Sequence, residues 1–184
     1  TLQQDASRKL GYSVSQTMTV AQRLYEAGLI TYMRTDSVNL SETALNATEE
    51  IINKEFVKDF VHIRHYKTKS KGAQEAHEAI RPAYLNKQKI DGNNSEKRLY
   101  ELIWKRTVAS QMADAELEKT TVTIGISTAP GKVIAKGEVV RFDGFLKVYL
   151  ESTDEEEPDS EEGMLPPLTP GQQLEYQEIQ AQQK

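Results

Sequence analysis

The spacing of apolar residues changes once along this chain, and that change limits the fold more than any other feature. Up to Met112 apolar side chains recur three and four positions apart. From about Lys119 they alternate, as in "TTVTIGIS", where Val122, Ile124 and Ile126 are separated by Thr and Gly. A period near 3.6 buries one stripe of a helix and a period of two buries one face of a strand, so the spacing predicts helices first and strands after. The class is α+β, with a helical domain over 1–113 and a β-rich domain over 114–184. A chain of 184 residues with 38% hydrophobic content can form one or two modest cores.

Local signals place the elements. Thr1 with Gln4 reads as a capping box for a short helix with Ala6 and Leu10 inward, stopped by Gly11. Ser13 with Gln16 repeats the signature, and Val20, Ala21, Leu24 and Tyr25 follow at helical spacing until Gly28. Two helices and a Gly-containing turn make a helix-turn-helix candidate, and "LITYMRT" after Gly28 reads as the strand of a winged-helix domain, over 29–35. Asp36, Ser37 and Ser41 offer N-caps for a helix over 42–56, lined by Ala44, Leu45, Thr48, Ile52 and Phe56; a last helix over 95–112 turns Leu99, Leu102, Ile103, Val108 and Met112 inward. In the β half, "KGEVVRFDGFLKVYL" sets two apolar runs about Asp143-Gly144, a hairpin signal. Residues 151–163, "ESTDEEEPDSEEG", read as an acidic solvated loop, and Leu174, Tyr176 and Ile179 as one more strand.

The net charge of −5 averages two unlike halves. Residues 1–113 carry 17 Lys and Arg against 13 Asp and Glu, or +4, whereas residues 114–184 carry 6 against 15, or −9. A basic functional domain joined to an acidic support is the expectation. Zero Cys excludes disulfides, thiolate nucleophiles and Cys-based zinc sites. No apolar run approaches the roughly 18 residues that span a bilayer, so no membrane partner is expected. The opening "TLQQDASRKL" has no start Met, which reads as a cut from a longer chain, and the default location is cytoplasmic.

Within the helical half, "TYMRTDS" puts a phenol and a guanidinium two positions apart. On a strand Tyr32 and Arg34 share a face. A tyrosine is most often a packing residue with a wet hydroxyl. A tyrosine oxygen also attacks phosphorus; its pKa near 10 then calls for a cation that favours the phenolate, and the Arg fork matches two phosphate oxygens. In "KGAQEAHEAIRP" a helix ended by Pro82 would bring His77 and Arg81 to i and i+4 on one face, a pairing suited to an anion. Position 81 is Arg, so this is not the His-Glu-x-x-His zinc motif. "HIRHYKTKSKG" interleaves Arg64, Lys67, Lys69 and Lys71 with His65 and Tyr66, and suits either a phosphate backbone or a solvated basic loop.

"QRLYEAGLITYMRTDSVNLS" together with "AHEAIRP" resembles the type IA DNA topoisomerases, the bacterial topoisomerase I group, and "TLQQDASRKLG", "VVRFDGFLKVY" and "LPPLTPGQQL" extend the resemblance over essentially the whole chain. Ala83 departs from it, where the family usually has Thr. The resemblance implies that Tyr32 is the catalytic nucleophile, cleaving one DNA strand through a 5′-phosphotyrosine and relaxing supercoils without ATP. Arg34 would position the scissile phosphate, and His77 and Arg81 would contact DNA. Tyr32, Arg34 and His77 are then expected to face one cleft. The implied fold is a winged-helix-like domain carrying the tyrosine, followed by part of a β-rich arch. The implied partners are single-stranded or negatively supercoiled DNA in the bacterial nucleoid, and a Toprim domain elsewhere in the parent that binds Mg²⁺; no metal ligand is expected here. This segment alone is expected not to relax DNA, and an open edge of its sheet is where a second copy would pair. A winged-helix regulator without catalysis is the competing reading.

Overall fold

Two of the predicted caps, Ser13 and Ser41, start helices in the computed structural model, which describes residues 2–66, 78–149 and 168–175; the last helix ends at Ala109, short of the predicted 112. The helices are α1 (Leu2–Leu10), α2 (Val14–Glu26), α3 (Glu42–Glu55) and α4 (Asn94–Ala109); the strands are β1 (Glu116–Gly125) and β2 (Lys132–Phe142). Ser13 Oγ accepts from Gln16 N–H at 3.1 Å and Ser41 Oγ from Ala44 N–H at 3.4 Å, each satisfying a donor left over in the first turn. Asn93 and Glu96 close a full capping box on α4. Gly28, at φ 68°, ends α2, because only there does a left-handed residue let Leu29 N–H return to Leu24 O at 2.9 Å.

The chain divides into two units, one of residues 2–66, 78–116 and 142–149, the other of 117–141 with 168–175. In the first, Ala6, Val20, Leu24 and Ile52 are buried, as are Leu99, Leu102, Ile103 and Val108 on α4 and Met112 just beyond it, with Trp104 and Tyr100 beside them. Both aromatics also hold a turn: Trp104 Nε1–H donates to Leu85 O at 2.8 Å and Tyr100 O–H to Lys87 O at 2.7 Å. Phe142 rejoins this unit with its ring 4.6 Å from that of Phe60.

The second unit is a hairpin. Its connection, 126–131, is too short for a parallel crossover, so β1 and β2 pair antiparallel, and Arg141–Glu118 at 2.5 Å and Lys119–Glu138 at 3.2 Å cross the pair. Among the described residues neither outer edge has a ladder partner, and Val133, Ile134 and Val140 are exposed. Asp143-Gly144 is not the hairpin turn that the sequence suggested. It opens a 3₁₀ turn, Gly144–Lys147, where Gly144 lies against the backbone of Ala113 and Asp114. The glycine serves close approach rather than chain reversal. The acidic loop and Tyr176 and Ile179 lie outside the described residues.

Candidate active-site loop

Residues 31–41 join the end of α2 to the start of α3 as a loop, and the strand predicted over 29–35 does not form. Only Ile30 pairs, through a single antiparallel bridge to Pro82. Two facts end the ladder there. Leu29 N–H is spent on Leu24 O, and the Thr31 hydroxyl takes the Arg81 N–H that a strand carbonyl would accept. Tyr32 and Arg34 therefore do not share a strand face. Both are nonetheless exposed, on either side of Met33, which is buried in the core at 4% exposure and anchors the loop. The Tyr32 ring meets Tyr25 edge to face, centroids 5.3 Å apart.

The loop is tied at both ends to residues 78–82. At its start, Thr31 N–H donates to Arg81 O at 2.9 Å, Thr31 O–H donates to Ala79 O at 2.8 Å, and Arg81 N–H donates to Thr31 Oγ1 at 2.9 Å. At its end, Ala79 N–H donates to Asn39 O at 2.8 Å and Ser41 N–H to Glu78 Oε1 at 2.7 Å. Ser41 caps α3, but the third helical residue is Ala44, which cannot reach back to the cap N–H as Glu96 does in α4. Glu78 supplies that acceptor from another segment.

These bonds also explain why the helix expected around His77 and Arg81 is absent over Glu78–Arg81. The donors and acceptors of 79 and 81 go to the loop, and the residue before Pro82 is disfavoured in helical conformation. Arg81 is turned inward. Its side chain is 15% exposed; one guanidinium nitrogen meets Glu78 Oε2 at 2.5 Å and another donates to Pro82 O at 2.9 Å. His77 lies outside the described residues, as do Lys67, Lys69 and Lys71. Arg64 is committed to structure: it donates to Ser110 O and Met112 O and pairs with Asp114 at 2.9 Å, neutralising the carbonyl end of α4. Beside the loop an open cleft of about 540 Å³ is lined by Thr35–Val38, Leu40, Tyr66 and α4; Tyr32 and Arg34 do not line it. Among the described residues no three His, Asp or Glu side chains converge to hold a metal ion, and no helix is long and apolar enough to cross a membrane.

Thr31, Glu78 and Asn39 were not singled out from the sequence. The one legible trace was a Ser cap on α3 with Ala at its third helical position, which leaves a donor in need of an acceptor. Burial alone would raise the Glu78 pKa, but the hydrogen bonds from Ser41 and Arg81 with the Arg81 charge outweigh it and hold the carboxyl below its ordinary 4.5. A depressed carboxylate stabilises the fold above its unfolded pKa, and that contribution is lost as pH falls through the folded one. Glu78→Gln is expected to cost about 1 to 3 kcal/mol at pH 7, and the gap to the parent protein should close as pH drops below about 4.5. Thermal melts of both proteins from pH 7 to 3 test this; a gap constant with pH would show that the charge on Glu78 contributes nothing.

The family described as DNA topoisomerase matches residues 1–184, the whole chain. DNA topoisomerase 1 of Mycolicibacterium smegmatis is 48% identical over 194 residues, covering 98% of this chain and 21% of that protein. The Zymomonas mobilis DNA topoisomerase 1 is 47% identical over 189 residues, covering 100% of this chain and 16% of its own length. The full-length topoisomerase I structure from Thermotoga maritima superposes with a TM-score of 0.70 at 35% identity, over 89% of this chain and 28% of that one. The chain thus spans about a fifth of the relatives it matches, and it belongs to the bacterial DNA topoisomerase I family.

Proposed function

We propose that this chain is the tyrosine-bearing part of a type IA DNA topoisomerase and that Tyr32 is its nucleophile. The observation that carries the reading is a family match over every residue, together with an exposed Tyr32 beside Arg34 on a loop tied at both ends. The Tyr32 oxygen forms a bond to phosphorus as the bond to the 3′ oxygen breaks. The phenol proton is given up, the 3′-hydroxyl leaves protonated, and the 5′-phosphotyrosine is later reversed by that hydroxyl without ATP. Between the two steps another strand passes and supercoils relax. Arg34 binds the scissile phosphate and His77 approaches it; Arg81 acts through the scaffold it forms with Glu78.

The helical unit is read as winged-helix-like and the hairpin as part of a β arch, with a second copy pairing at its open edge in the isolated chain. The partners are single-stranded or negatively supercoiled DNA and the Toprim and other domains of the parent enzyme, in the bacterial nucleoid. Mg²⁺ is held by those domains, and the isolated chain is inactive in relaxation. A regulator without catalysis is not favoured, because the family relatives are named topoisomerases.

The test is covalent capture: the complete enzyme is incubated with labelled single-stranded DNA, denatured and digested, and the label is expected on the peptide carrying Tyr32. Label elsewhere would refute the assignment. Arg34→Lys separates charge from geometry in the same assay. Lysine keeps the charge but not the two-pronged contact, and a charge-assisted bond to phosphate is worth about 1.5 to 3 kcal/mol, so cleavage should fall roughly ten- to hundredfold with an unchanged fold. Unchanged cleavage would reduce Arg34 to a surface charge.

A further inference from the structure

We propose that Thr31 is a positioning residue for strand cleavage, its hydroxyl setting the backbone from which Tyr32 projects; this rests on the reading of Tyr32 as nucleophile. The residue immediately before the nucleophile makes three short hydrogen bonds to residues 79–81, at 2.8 to 2.9 Å, two of them through the side-chain oxygen, which also lies 3.4 Å from Arg81 O. That oxygen donates to Ala79 O and accepts from Arg81 N–H, so donor and acceptor roles are both taken. A backbone carbonyl could accept from Arg81 but could not donate to Ala79. The hydroxyl thereby stops the bridge at Ile30 and Pro82, and the chain leaves the pairing at Tyr32 instead of continuing as strand.

The far end of the loop is fixed by the same segment, through Glu78 on Ser41 N–H, and Glu78 is tied to Arg81 at 2.5 Å. One short stretch, 78–82, thus spans both ends of the loop that carries Tyr32 and Arg34. In-line attack needs the nucleophile placed to a fraction of an ångström, and a misplacement of about 1 Å from a remote change can cost about a hundredfold. With the hydroxyl gone, Arg81 N–H and Ala79 O lose their partners, and the loop's entry relaxes while Met33 still anchors it in the core.

The experiment compares Thr31→Val, which keeps the shape and removes the hydroxyl, with Thr31→Ser, which keeps the hydroxyl and removes the methyl. Both are made in the complete enzyme beside Tyr32→Phe, and each is measured for cleavage rate at saturating labelled single-stranded DNA, for DNA affinity and for melting temperature. Thr31→Val should lower the cleavage rate by about ten- to hundredfold with affinity within about twofold, and Thr31→Ser should restore the rate to within about threefold. A Thr31→Val enzyme that cleaves at the parent rate overturns the proposal. So does one whose loss is fully accounted for by unfolding or by weaker DNA binding, since Thr31 is then structural only. If Tyr32→Phe still forms the adduct, the nucleophile lies elsewhere and both readings fall. If Tyr32→Phe forms none while Thr31→Val is normal, the role of Thr31 alone is refuted.

Discussion

Tyr32→Phe in the complete enzyme is expected to abolish the covalent DNA adduct while leaving the protein folded. The substitution removes one oxygen from a ring that is 36% exposed and keeps the edge-to-face contact with Tyr25. Changes at exposed positions usually stay within about 0.5 kcal/mol, so the melting temperature should barely move. Loss of a covalent nucleophile has no such tolerance. Phenylalanine has no atom that can bond to phosphorus, and removing a nucleophile from an enzyme typically costs a thousandfold or more. DNA affinity should be retained, because binding rests on phosphate contacts by other groups. The decisive measurement is denaturing electrophoresis with labelled DNA at equal occupancy. An adduct at the parent level would mean that Tyr32 is only a surface aromatic.

The helices were legible because their signals are local. Ser13 and Ser41 cap through residues three positions on, and the apolar stripe of α4 selects its buried side without reference to anything distant. The segment around Tyr32 defeated the same reasoning because long-range partners decide it. "LITYMRT" has the composition of a strand, yet a strand exists only where a second segment offers a ladder, and here the segment's own Thr31 hydroxyl takes the Arg81 N–H that continued pairing would need. "EAIRP" likewise looked helical by the spacing of its charges, whereas its backbone groups bond across about fifty positions to the loop, and Arg81 turned inward to Glu78. Tyr32 and Arg34 could be singled out from the sequence because their chemistry suits a phosphate; Thr31 and Glu78 could not, because only the groups they touch in the fold bring them forward.

The Asp143-Gly144 pair supplies the other large expected effect. As a hairpin turn it would tolerate several residues, but here Gly144 has φ 51°, and a Cβ would run into the backbone oxygens of Ala113 and Asp114. That backbone cannot retreat freely, since Ala113 N–H is bonded to Phe60 O at 2.8 Å and Ala113 O accepts from Phe145 N–H at 2.9 Å. Gly144→Ala should therefore destabilise the first unit by about 3 kcal/mol or more, combining left-handed strain with a backbone clash. Gly11→Ala is the matched control. Gly11 is also left-handed, at φ 69°, but nothing lies within 4 Å of a Cβ there, so only about 1 kcal/mol is expected. Urea unfolding followed by the fluorescence of Trp104, the sole tryptophan and buried in α4's core, reads both on one probe. Equal midpoints for the two variants would refute the close approach. The expected difference bears on the Tyr32 loop as well, because the return at Gly144 seats Phe142 on Phe60 and Tyr149 on Arg106, closing the core in which Met33 anchors the residues beside Tyr32.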